Sequence, residues 1–161
     1  MSERAITYVE ALNDVFFIFT LKKFAYSYKE IERSLPKIYL IDNGILTING
    51  ITENNRLMEN LVFAELIRRE ENIYYYKSAN GKEVDFVILR KGKVKQLIQV
   101  CYDLSDLTTK EREIKALLKA SKELRCNKLI IITKEIKKEE KIKNKKIEYI
   151  PLWMWLLQEQ K

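Results

Sequence analysis

The sequence predicts an α/β fold with a mixed central sheet flanked by helices, and three observations predict it. First, GKEVDFVILRKGKVKQLIQVCYDL, residues 81 to 104, reads as two strands linked by Lys91-Gly92-Lys93, an antiparallel hairpin. Second, an amphipathic pattern over 110–126 precedes the short apolar run KLIIIT, residues 128 to 133, so strands 96–102 and 128–133 form a parallel crossover unit. Third, 161 residues with 47% apolar content suffice for one domain with a real core and argue against disorder.

The remaining elements follow from spacing. Ile6, Val9 and Leu12 recur at helical intervals over 3–13, and VFFIFTLKKF, residues 15 to 24, reads as a buried strand with a basic tip. KIYLIDNGIL, residues 37 to 46, is strand-like. LMENLVFAELIRRE, residues 57 to 70, predicts a helix, and NIYYYKS, residues 72 to 78, a Tyr-rich strand. Asn80-Gly81 supplies a turn before the hairpin. Capping residues between Asp106 and Thr109 open the helix that carries Ile114, Leu117, Leu118 and Leu124. The run KEIKKEEKIKNKK, residues 134 to 146, mixes Lys with Glu135, Glu139 and Glu140; it reads as a solvated loop or frayed helix face, with nucleic-acid contact the alternative. IEYIPLWMWLLQ closes with a strand and a helix whose first turn suits Pro151. Trp153 and Trp155 read as core anchors or an interface ahead of a base-stacking platform.

Composition narrows the chemistry. No apolar run approaches the ~20 residues a membrane span needs. MSERAITYVEALND lacks the basic start and small-residue cleavage site of a secretory signal, which predicts a cytoplasmic protein. Cys101 and Cys126 are expected as reduced thiols. Histidine is absent, so His-based zinc sites and His general bases are excluded, and any metal must sit on carboxylates, amides, carbonyls or thiols. A net charge of +7 permits a polyanionic partner, though the lysines are spread along the chain.

The hairpin carries the chemistry. Alternation places Asp85 on one face with Glu83 and Val87, and Gln99 and Cys101 with Leu97 and Asp103. Adjacent antiparallel strands bring such groups into one cluster, where a divalent ion would seek hard oxygen ligands. Glu59 lies amid an apolar stripe of Val62, Phe63, Leu66 and Ile67, where a carboxylate needs a partner. Glu65, near Arg68 and Arg69, reads as a member of a surface ion pair.

These pieces are ordered as in a known family. Lys37, Tyr39, Asp42 and Gly44, then Glu59-Asn60, then Gly81, Glu83, Val84, Asp85 and Phe86, then Gln99, Cys101 and Tyr102 follow one another. Nearly the whole chain resembles the C-terminal domain of unknown function of archaeal and bacterial AAA-type ATPases, a branch of the PD-(D/E)XK nuclease-like superfamily. The resemblance implies a restriction-endonuclease-like core over 47–161, preceded at 1–46 by the remnant of a winged-helix-like linker segment. It makes Glu59 a helix carboxylate holding a metal-bound water, against a helix cap or a salt bridge to a buried lysine. It places Asp85, Gln99 and Cys101 at the catalytic positions, and Asp85, Glu59 and Gln99 around magnesium or manganese if the site is active.

Two of those positions depart from the pattern. Where the family strand carries Glu-x-Lys, this chain has Gln99 and Cys101. Gln99 keeps an oxygen without the charge, and a thiol neither replaces an ammonium nor favours magnesium. No GxxxxGK[ST] loop is present, since Gly81-Lys82 is followed by Glu83, which suggests a truncated or split piece of a longer ATPase. The expectation is a degenerate nuclease-like domain acting in nucleic-acid binding, with Lys82, Lys91, Lys93 and Lys95 as contacts to DNA, or in docking to an ATPase domain or another protein. One alternative is an active nuclease in which Lys82 or Lys95 migrates to the missing role. Another is an interaction or oligomerisation module built on Trp153, Trp155 and Tyr74 to Tyr76. Oligomeric state is not legible.

Overall fold

The computed structural model describes residues 3–158, with Met1, Ser2 and the last three residues, part of the terminal segments read above, lying outside the described residues. A mixed six-stranded sheet is flanked by helices on both faces. Its strands are β3 (Asn72–Lys77), β4 (Glu83–Arg90), β5 (Lys93–Val100), β6 (Leu129–Thr133), β7 (Lys138–Ile142) and β8 (Lys145–Pro151), in the spatial order β3-β4-β5-β6-β8-β7. The β3-β4 and β4-β5 pairs are antiparallel, β5-β6 and β6-β8 parallel, and β7-β8 antiparallel. Lys91 and Gly92 turn β4 into β5 with positive φ at both residues, the two-residue geometry that matches strand twist.

The parallel step needs a crossover, and α5 (Leu107–Glu123) supplies it. Asp106 caps this helix, its carboxylate accepting from the Thr108 and Thr109 amides. Ile114, Leu117, Ala120 and Leu124 of this segment cover one face of the sheet together with Val87, Leu97, Leu129, Ile131 and Tyr149. The opposite face is covered by α4 (Asn54–Arg68), through Met58, Val62, Phe63 and Leu66, and by Trp155 of α6 (Leu152–Leu156). β6 is buried along its whole length because both its faces are covered.

A separate two-stranded ribbon of β1 (Ile18–Leu21) and β2 (Lys37–Leu40) also lies on the α4 side. Hydrogen bonds to β3 and to α4 help fasten it. The Phe24 amide donates to the Tyr75 carbonyl at 2.6 Å, and the Asn60 side chain both accepts from the Leu40 amide at 2.9 Å and donates to the Leu40 carbonyl at 3.0 Å. Before the ribbon comes α1 (Glu3–Asp14); α2 (Tyr28–Arg33) joins its strands, and α3 (Asn43–Ile48) leads into α4.

Three expectations are corrected. The strand expected over 15–24 is confined to 18–21, because Phe16 takes positive φ and Val15 to Phe17 form an exposed turn. The strand-like 37–46 stops at Leu40, where Asp42 accepts from the Gly44 amide and starts a helix. The run 134–146, expected as a loop or frayed helix, holds edge strand β7, paired to β8 through a turn at Lys143-Asn144 with positive φ at both. Its polar alternation is that of a strand with one solvated face. Among the described residues no helix is long and apolar enough to cross a membrane.

Candidate functional site: an acidic centre around Lys37

The β4-β5 ladder ends at Phe86 opposite Ile98, although β4 begins at Glu83 and β5 continues to Val100. Side chains fill the gap left by the splaying strands. Asp85 Oδ2 accepts from the Val100 amide at 2.9 Å, and the Asp85 amide donates to Gln99 Oε1 at 3.3 Å. Gln99 Nε2 in turn donates to Glu113 on α5, whose other oxygen is held by the Arg112 guanidinium at 2.7 Å. Asp85, Gln99 and Glu113 are all buried. With Asn80, Lys82 and Arg112 they line a cavity of about 360 Å³.

Lys37 reaches Asp85 from β2. Its ammonium lies 2.7 Å from Glu83, 3.1 Å from Glu59 and 3.4 Å from Asp85, drawing one acid from α4 and two from β4 onto a single charge from β2. Two residues on, the Tyr39 hydroxyl donates to Glu59 Oε1 at 2.7 Å, and its ring stacks on Phe63 at 4.0 Å between centroids. Strand alternation explains why Lys37 and Tyr39 act together: both side chains leave the same face of β2.

The electrostatics follow. Burial, with the Glu59 charge next, pushes the Asp85 carboxyl up to about 7, against the opposing pull of Lys37 and of the Val100 amide. Burial works against the Lys37 ammonium, but Asp85, Glu59 and Glu83 outweigh it and hold its pKa above the usual lysine range. Burial drives the Tyr39 hydroxyl upward too, so it remains a donor at neutral pH.

A resident divalent ion would make specific demands on this donor set. Magnesium takes near-octahedral oxygen ligands at about 2.0–2.1 Å and usually retains several waters. Here one Asp85 oxygen is committed to a backbone amide and the other faces an ammonium, Gln99 Oε1 takes an amide proton, and Glu59 Oε1 serves both Lys37 and Tyr39. Among the described residues no group of three or more Asp, Glu, Cys or His side chains is arranged to hold a metal ion. These donors do not fit a resident divalent ion.

Residues 54–155 match the model of a domain of unknown function, DUF4143. The chain belongs to the DUF4143 family. It is similar to "Uncharacterized protein MJ1544" of Methanocaldococcus jannaschii, with 44% identity over an alignment 161 positions long that covers 93% of this chain and 35% of that protein. The chain thus spans about a third of the length of the curated relative it matches. No solved structure gives a significant match.

In this DUF4143 chain the expected residues are sorted by distance from Asp85. Glu59 comes to the centre as half of an ion pair with Lys37. Cys101 is buried in the α5-side core, where its thiol donates to the Asp103 carbonyl at 3.2 Å and burial pushes its pKa up to about 11. Lys82 lines the cavity, but Lys91 lies in the far hairpin turn and Lys93 pairs with Arg90, five residues beyond Asp85, so both sit roughly 15 Å or more away along the strands. The register shift between Ile88 and Leu89 leaves Lys95 as the extra residue of a bulge, exposed, so the alternation that would place it with Gln99 is broken.

Sequence reasoning missed Lys37, Glu83 and Glu113 as members of the centre. Signals existed for each: Lys37 and Tyr39 share a strand face, as do Glu83 and Asp85, and Glu113 sits four residues before Leu117 on the buried stripe of α5. Glu65 proved buried, held by Arg68 and Arg69. Trp155 and Tyr75 are core residues, whereas Trp153 is exposed.

Proposed function

We propose that this chain is a restriction-endonuclease-like, PD-(D/E)XK-related domain of an AAA-type ATPase whose centre no longer cleaves. It serves in nucleic-acid binding or in docking and assembly. One observation carries the loss of cleavage: the acids that would gather a metal in such a site, Glu59, Glu83 and Asp85, are gathered around the Lys37 ammonium. Phosphodiester hydrolysis in this class depends on a metal to polarise the phosphate and generate the attacking hydroxide, and here Glu59 Oε1 and both Asp85 oxygens already face Lys37, Tyr39 or a backbone amide.

The charge of +7 supports a polyanionic partner. A specific feature favours docking as a second reading: Val15, Phe16, Tyr26, Tyr28, Leu35 and Ile48 are all strongly exposed, and they cluster in the first third of the chain. Large apolar side chains left in solvent suit burial against a protein partner.

The test is cleavage of labelled single-stranded, duplex and branched DNA with magnesium or manganese, run beside gel-shift binding across a salt series. No cleavage, with binding that weakens as salt rises, is the expected result. Metal-dependent cleavage that disappears in Asp85→Asn would overturn the proposal. Absence of both cleavage and binding would leave docking as the function.

A further inference from the structure

We infer that Lys37 is the resident cation of the acidic centre, an ammonium built into β2 that makes this centre independent of divalent metal. The inference deepens the reading above and rests on the same centre, but it concerns what holds the acids together and not what the domain binds.

Three carboxylates from two elements converge within hydrogen-bonding or ion-pairing reach of one nitrogen, at 2.7, 3.1 and 3.4 Å. Lys37 is three-quarters buried by its side chain and Asp85 nearly nine-tenths, so solvent screens these charges far less than at a surface pair. Without a cation, Glu59, Glu83 and Asp85 would repel one another in that setting. The position of the ammonium is also fixed. Tyr39, stacked on Phe63, and Leu40, clamped through both backbone groups by Asn60, hold β2 on either side of α4's buried face.

Other cations stand near the centre, Lys82 and Arg112 in the Asp85 cavity and Arg56 in the cleft beside Glu59, but the ion pairs of Glu59 and Asp85 run to Lys37. Lys77 on β3 reaches only the outer oxygen of Glu83, at 3.5 Å, and remains half exposed. The Tyr75 ring offers its face to Lys37 at 5.7 Å, which adds to the hold on the ammonium. Beyond Gln99, Glu113 is already matched by Arg112. Neither Gln99 nor Cys101 brings charge, so the positive charge of this centre comes from the ribbon and not from the hairpin.

Thermal unfolding of the whole chain tests this, using wild type, Lys37→Met and Lys37→Met/Asp85→Asn, each with millimolar manganese or with EDTA. The wild-type midpoint should be unmoved by either addition. Lys37→Met should fall by roughly 10 °C, because removing one partner leaves buried charge uncompensated. The double variant, which removes an anion together with the cation, should recover part of that loss. If Lys37→Met alone fails to fold while the double variant folds, the inference stands; failure of both overturns it. A wild-type midpoint raised by manganese or lowered by EDTA overturns it, as does a Lys37→Met protein that melts with wild type. A wild type that binds DNA without cutting it, yet is stabilised by manganese, would sink this inference and leave the functional reading intact.

Discussion

Asp85 and Val100 are joined by a bond from the Val100 amide to Asp85 Oδ2 at 2.9 Å, beyond the point where the β4-β5 ladder has ended. A carboxylate thereby does the work of a strand carbonyl, which ties the most chemically suggestive residue of the chain to its architecture.

Substitution at Asp85 should therefore separate by whether an acceptor survives. Asp85→Ala leaves the buried Val100 amide unpaired and should lower the unfolding free energy by about 1–3 kcal/mol. Asp85→Asn keeps an oxygen at that place and should lose less. Urea denaturation of the two variants checks this, and equal losses would mean that the amide finds another partner. The comparison also makes Asp85→Asn the cleaner control in a cleavage assay.

Stability should depend on pH through the same carboxyl. Burial, then the charge of Glu59, raises it from the ordinary 3.8 to about 7. The native state then holds this proton more tightly than the unfolded chain, so its contribution is complete below about pH 4 and is lost as pH rises toward about 7. Wild type should become less stable relative to Asp85→Asn across that window and level off above it. Chemical denaturation from pH 4 to 8 gives the difference; a wild type that gains on the variant with rising pH would contradict it.

Arg69 anchors α6. Its guanidinium bonds Glu65 at 2.5 Å and the carbonyls of Trp155 and Leu156 at 3.0 Å each, and stacks over the Trp155 ring at 4.4 Å. Lysine cannot reproduce that planar fork. Arg69→Lys should cost about 2 kcal/mol, with Arg69→Met costing more, and protease nicking near residue 152 should accelerate if α6 is what comes loose. A neutral Arg69→Lys would show the fork to be dispensable.

Gly92 sits at φ +70 beside Lys91 at φ 53 in the β4-β5 turn, with open space around its Cα. Gly92→Ala meets no steric wall but must adopt a left-handed conformation, so a loss of about 1 kcal/mol is expected. Thermal unfolding would read it, and an unchanged midpoint would mean that the turn relaxes to another type.

The sequence by itself determined the parts governed by short-range rules. The hairpin with its Lys91-Gly92 turn, the Asp106 cap, the α5 stripe and the parallel pairing of β5 with β6 were legible because periodicity and turn chemistry act over a few residues. Asp85 and Gln99 were legible as neighbours for the same reason. Only the tertiary structure decided that Lys37, 48 positions from Asp85, supplies the charge between the acids, and that Glu113 approaches Gln99 from the crossover helix. Periodicity tells which face a side chain leaves, not which element will lie against that face. The β1-β2 ribbon is placed by its packing on α4 and by the Asn60 clamp, contacts that exist only once the chain has closed on itself. The bulge at Lys95 shows the same limit in reverse, since one extra residue in a ladder reassigned a face that simple alternation had fixed.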